Sequence, residues 1–109
     1  MFGRDVKSPY MLLSLPLSPE ARSAAPAVAH VDGTSRPQTV GDDQGPYAAL
    51  LKRIQCGTGH GVVLNTSFNG PGEPIVCTPV EAVRTFASSG VDALVIGDVV
   101  VSKHKVAAD

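Results

Sequence analysis

Between positions 62 and 79 the chain commits to three local structures in immediate succession. Val62, Val63 and Leu64 read as the core of a strand. Asn65, Thr66, Ser67 and Asn69 then present short polar side chains, and Gly70 and Gly72 let the backbone turn tightly. Thr78, Pro79 and Glu81 form a complete helix start. The threonine is placed as N-cap, the proline at the first helical position, and the glutamate three residues after the cap, where its carboxylate can reach back to the cap amide. A strand that feeds a polar glycine turn and then a helix is a common seat for a ligand. Hydroxyls and amides beside flexible backbone can bond phosphate oxygens without bulk that would hold the ligand away. The same residue types also serve as Asx-turns and a helix cap, and the segment by itself supports both readings.

Around this segment the expected elements alternate. Pro9, Pro16, Pro19 and Pro26 exclude a long helix from the first quarter. A short strand is expected at residues 11–15, a loop with at most one helical turn at 18–26, and a second strand at 27–31. Turns are expected at 32–35 and 41–45, with an extended piece at 36–40 between them. Tyr47, Leu50, Leu51 and Ile54 fall at i, i+3, i+4 and i+7, which predicts a helix over residues 47–56 that packs on a sheet and is capped by Gly57. A strand at 61–64 follows. The second helix is expected over 78–89, with Ala82, Val83 and Phe86 facing the core and Gly90 ending it. Two β-rich runs, 93–96 and 99–102, flank Gly97-Asp98 as a hairpin, and Lys103 and Lys105 lead into the tail. Helices and strands that alternate before a terminal hairpin predict an α/β fold with one open, mixed, twisted sheet.

With 109 residues the chain is one domain or part of one. A hydrophobic fraction of 43%, a charged fraction of 17% and a net charge of −1 describe a globular chain with no general attraction for nucleic acid. Aromatic residues make up 5% and tryptophan is absent, so a bound nucleotide would be held by polar groups and not by ring stacking. No apolar run approaches the roughly 20 residues of a spanning helix, and the opening residues lack a signal-peptide core, so a cytoplasmic location without a membrane partner is expected. Cys56 and Cys77 have no paired ligand spacing, and His30, His60 and His104 are scattered. No metal held by this chain is expected.

His30-Val31-Asp32-Gly33-Thr34-Ser35-Arg36-Pro37-Gln38 is the second constellation, a strand end and glycine turn that aim one arginine. A guanidinium offers a planar fork of donors suited to phosphate or carboxylate and stays charged at any working pH. Arg36 is accordingly the foremost candidate. It could instead pair on the surface with Asp32, Asp42 or Asp43, and His30 could be a satisfied strand-end histidine.

Six blocks in order carry a family resemblance. They are Ser8 to Met11, Pro26 to Val40, Leu64 to Asn69, Gly72 to Val76, Thr78 to Pro79, and Asp92 to Gly97. Together they resemble the C-terminal domain of the O-carbamoyltransferases that modify antibiotics and nodulation factors, over nearly the whole chain. The resemblance implies a domain similar to threonylcarbamoyl-AMP synthase, which uses ATP as co-substrate with carbamoyl phosphate to form a carbamoyl adenylate. The carbamoyl group then passes to a hydroxyl of a small-molecule acceptor in a separate N-terminal domain of the actin-like ATPase superfamily, where the family's metal-binding histidines lie. By position, Arg36 matches the family's phosphate-binding arginine and Ser67 the polar group lining the nucleotide and carbamoyl site. His30, Asp32, Thr34, Asn65, Thr66 and Asn69 are the further candidates for substrate and nucleotide binding.

Such chemistry needs fixed donors around an α-phosphate that gains negative charge, and no side-chain nucleophile, so Ser67 is expected to act as a donor. The family's domain opens upstream with further arginines, in a Gly-Arg-x-Glu-x-Gly-Pro-Arg-Ala-Leu-Gly-x-Arg-Ser motif and a Phe-Arg-Pro-Phe-Ala-Pro segment. Gly3-Arg4-Asp5 is not that motif. The expectation is therefore the back part of the domain, a fragment or small subunit that partners the remaining carbamoyltransferase part or another copy of the chain and is inactive alone. A non-catalytic nucleotide-binding or interaction module, or a gene remnant, is the alternative.

Overall fold

The computed structural model describes residues 6–104, so Gly3-Arg4-Asp5 and Lys105 lie outside the described residues. The chain divides into two compact units, Met1–Asn65 and Thr66–Asp109. Its content is α/β, as expected. Among the described residues, however, the strands form two separate antiparallel pairs and not one open mixed sheet.

In the first unit β1 (Leu15–Pro16) pairs with β2 (Thr34–Ser35), Leu15 opposite Ser35 and Pro16 opposite Thr34. The Leu17 amide extends the contact by donating to the Gly33 carbonyl at 3.0 Å. Between these strands lies α1 (Pro19–Ala24), a full helix in place of the expected loop. Ser18 caps it by accepting from the Ala21 amide, and Pro19 sits in its first turn. Leu15, Leu17 and Ala21 are buried together with Ser8 and Ser35.

Ahead of the Asp42–Gln44 turn, two expected strands of this unit do not form as read. At 11–15, Met11 takes φ 57°, a left-handed backbone incompatible with a ladder, and pairing begins only at Leu15. At 27–31, Pro26 starts a 3-10 turn over Pro26–Val28, and the chain then reverses through a tight turn in which the Gly33 amide donates to the His30 carbonyl. The reversal falls earlier than expected, so Thr34 and Ser35 become strand. Residues 36–40 carry no regular secondary structure.

A 3-10 turn (Asp42–Gln44) leads into α2 (Gly45–Thr58). Gly57 remains inside the helix, and Gly59, at φ 82°, makes the left-handed cap, its amide donating to the Gln55 carbonyl at 2.8 Å. Only Ala48 of this helix is buried; Leu51 and Ile54 are half-buried, and Tyr47 and Leu50 are exposed. Among the described residues, the expected apolar stripe thus has no sheet packed against it. Residues 61–64 likewise run as an irregular segment, since no described strand offers them a ladder, and Leu64 is 65% exposed.

The second unit follows its sequence signals closely. α3 (Pro79–Ser88) begins with a full capping box: the Glu81 amide donates to Thr78 Oγ1, and Glu81 Oε2 accepts from the Thr78 amide, both at 3.2 Å. β3 (Ala93–Ile96) and β4 (Val99–Ser102) form the expected hairpin, with Gly97 at φ 57° in the turn. Ala82 and Phe86 pack with Leu94, backed by Phe68, Val76 and Ile96. Thr85 takes the third buried position of the helix, whereas Val83, expected in the core, is 52% exposed. The ends of the glycine loop are joined by the Val76 amide, which donates to the Phe68 carbonyl at 2.9 Å. Lys103 lies 4.8 Å from the centre of the Phe86 ring, and its ammonium also reaches the Ser89 carbonyl.

Candidate functional site

The first unit contains a cleft of about 400 Å³. One wall is the segment from Ser35 to Val40, which contributes Arg36 and Gln38. Tyr47 and Leu51 of α2 and residues 61–65 form another, with His30, Val28 and Met11 completing the lining. The apolar stripe of α2 therefore faces this cleft in part, with Tyr47 and Leu51 one turn apart. Among the lining residues there is one guanidinium, one imidazole, two carboxamides from Gln38 and Asn65, and no carboxylate. Such a mixture suits a ligand with an anionic group and an apolar or weakly polar body.

Arg36 is exposed within this cleft. Among the described residues it pairs with none of Asp32, Asp42 and Asp43. Asp42 binds Lys52 at 2.7 Å in a surface pair, and Asp32 is engaged in its own turn. There Asp32 Oδ1 accepts from the Thr34 amide at 2.9 Å and from Thr34 Oγ1 at 2.7 Å. These bonds, the hydroxyl's first, hold the Asp32 carboxyl below its ordinary pKa. His30 Nδ1 lies 3.3 Å from Thr34 Oγ1, and the His30 amide donates to the Thr34 carbonyl at 2.8 Å.

The turn that presents Arg36 is thus held from within by Asp32 and Thr34. Gly33 sits at its tip with φ 78°, and a Cβ there would come 2.5 Å from Arg22 Nη2. The far side of Arg36 is held by a clamp that the sequence does not reveal. Ser8 is buried, its Oγ donates to the Pro37 carbonyl, its amide donates to Thr39 Oγ1, and the Thr39 amide donates back to the Ser8 carbonyl, each at 2.9 Å. Ser8 belongs to a block visible in the sequence, but its partners lie 29 and 31 residues away, and no local signal couples them.

Of the candidate residues, His30, Arg36 and Asn65 come together on the cleft, while Asp32 and Thr34 shape the turn beside it. Asn65 also donates from Nδ2 to the Met11 sulfur at 3.4 Å. Thr66, Ser67 and Asn69 belong to the second unit. Thr66 and Ser67 are exposed, whereas Asn69 donates to the Gly70 and Glu73 carbonyls at 3.1 and 3.2 Å and fastens the glycine loop. Met11, Gln38, Thr39 and Tyr47 line the cleft without having been candidates.

Residues 1–103 match the family described as carbamoyltransferase C-terminus. This chain belongs to that family. It is 42% identical to the uncharacterized protein sll1178 of Synechocystis sp., over 94% of this chain and 20% of that protein. It is 38% identical to nodulation protein NolNO of Sinorhizobium fredii, over 88% of this chain and 14% of that one. With 3'-hydroxymethylcephem-O-carbamoyltransferase of Amycolatopsis lactamdurans the identity is 36%, over 90% and 19% respectively. The chain therefore spans a fifth or less of the length of these relatives.

Proposed function

We propose that this chain contributes the Arg36 cleft to an O-carbamoyltransferase, where it takes part in binding ATP and carbamoyl phosphate and in forming a carbamoyl adenylate. The acceptor is a hydroxyl of a small molecule, the kind of group named in the cephem carbamoyltransferase. The observation that carries this reading is the lining of the cleft, with one guanidinium that forms no ion pair among the described residues, neutral polar groups and apolar walls. A polyphosphate is held there by Arg36, whose fork can take two oxygens of one phosphate. Hydrolysis of carbamoyl phosphate releases inorganic phosphate and leaves carbamate, whose oxygen then attacks the α-phosphate of ATP, forming the new P–O bond as the α–β P–O bond breaks and pyrophosphate leaves. Negative charge grows on the equatorial oxygens, and donors already fixed in place stabilise it without reorganising. His30, Gln38 and Asn65 can orient the rest of the ligand. Ser67 is assigned a donor role in the same chemistry by its position in the family pattern, with the location cytoplasmic and the fold threonylcarbamoyl-AMP synthase-like.

Pyrophosphate exchange tests the assignment. With labelled pyrophosphate, ATP and carbamoyl phosphate, these 109 residues alone are expected to show no exchange, because they span a fifth or less of the relatives' length and each transition-state donor supplied by the remainder is worth a factor of about 10²–10³. Exchange should appear when the chain is mixed with a separately produced upstream part of a family member. No exchange in the mixture would favour a non-catalytic module, and exchange by the isolated chain would show a self-sufficient enzyme.

A further inference from the structure

We propose that Ser8 is a positioning residue that sets Arg36 and Gln38 in the cleft; this rests on the phosphate-binding reading of that cleft. The segment from Arg36 to Val40 carries no regular secondary structure, and among the described residues no ladder fixes its path beyond Ser35. An unpaired irregular segment would ordinarily sample several conformations, and each would move the Arg36 fork. Three hydrogen bonds replace the ladder, and all of them involve Ser8. The Ser8 hydroxyl takes the Pro37 carbonyl, which lies between Arg36 and Gln38, while the reciprocal pair with Thr39 fixes the residue just beyond Gln38.

The geometry of these bonds separates positioning from contact. Ser8 is 3% exposed and is not part of the cleft lining, so it acts on a ligand only through the segment it holds. Pro37 donates no backbone hydrogen bond and carries a restricted φ, so its carbonyl is the group by which this stretch can be tied down. Arg36 and Gln38 flank Pro37, and both line the cleft. A single buried hydroxyl thereby orients one charged and one neutral recognition group together.

The test uses the 109-residue chain, inorganic pyrophosphate as probe, and backbone amide resonances as the readout. Ser8→Ala removes the Pro37 bond and leaves the Ser8–Thr39 backbone bond in place. It should weaken pyrophosphate affinity by about 3–10-fold, the scale of one lost hydrogen bond, and the same change should have no further effect in an Arg36→Ala background. Equal affinity of Ser8→Ala and the unaltered chain, or an equal loss in both backgrounds, would overturn the proposal. Backbone relaxation of the free protein gives a second readout that does not depend on binding. Ser8→Ala should increase mobility at residues 36–38 while leaving α1 and α3 unchanged, and unchanged relaxation at 36–38 would overturn the proposal. If the unaltered chain does not bind pyrophosphate, the phosphate reading of the cleft fails, and the relaxation experiment still decides the role of Ser8.

Discussion

Asp32 and Thr34 are bonded to each other twice within one turn, through the threonine amide at 2.9 Å and its hydroxyl at 2.7 Å. The Asp32 carboxylate is thereby engaged in holding the turn that leads to Arg36. Bonds from Thr34 stabilise the charged form and lower the Asp32 pKa. A group with a depressed folded pKa contributes stability above its ordinary range and loses it as pH falls through the folded value. Chemical shifts of Gly33 and Thr34 should therefore hold at neutral pH and move together on acidification below the ordinary aspartate range. In Asp32→Ala that acid-dependent movement should disappear, and its persistence would show that another group governs the turn.

Gly33→Ala probes the same turn from its backbone. At φ 78° an L side chain is strained, at a cost of about 1–2 kcal/mol. The Arg22 guanidinium can swing aside, so the backbone term should dominate. Denaturant midpoints should show a loss of that size, and an unchanged midpoint would mean that the turn relaxes freely.

At the start of α3, Thr78→Ala should cost about 1 kcal/mol by removing the acceptor for the Glu81 amide. Glu81 is the other half of the box. Its carboxyl is held below the ordinary glutamate pKa, first by the Cys77 amide at 2.9 Å and also by bonds to Thr78. Its contribution should be full at neutral pH and fade as pH falls through and below the usual glutamate range. Glu81→Gln should flatten that part of the stability profile, measured as the pH dependence of the denaturant midpoint. An unaltered profile would show that the box does not form in solution.

The second unit was legible because its signals are local. A cap, a proline and a glutamate within four residues define the start of α3, and two β-rich runs around Gly97-Asp98 define the hairpin. The strand expected at 61–64 failed for the opposite reason, since β-rich composition alone supplies no partner for a ladder. Met11 illustrates a different limit: its φ is left-handed, and nothing in a methionine announces it. Gly57 and Gly59 are equivalent as sequence signals, and only the length of the helix chooses between them. In the candidate site, the exposed cation and the cleft-lining His30 and Asn65 could be read from residue type and motif. The internal roles of Asp32, Thr34 and Asn69 could not, because the atoms that bind a phosphate are those that close an Asx-turn. Ser8 was hidden by sequence distance alone.

Titration of ATP into the isotopically labelled chain, compared between the unaltered protein and Arg36→Ala, tests the central claim most directly. A charge-assisted phosphate contact is worth about 1.5–3 kcal/mol. The account predicts saturable shifts at Arg36, Gln38 and Asn65, with affinity falling by the corresponding factor of about 10–150 in Arg36→Ala. Absence of shifts along the cleft, or equal affinity in the two proteins, would contradict it.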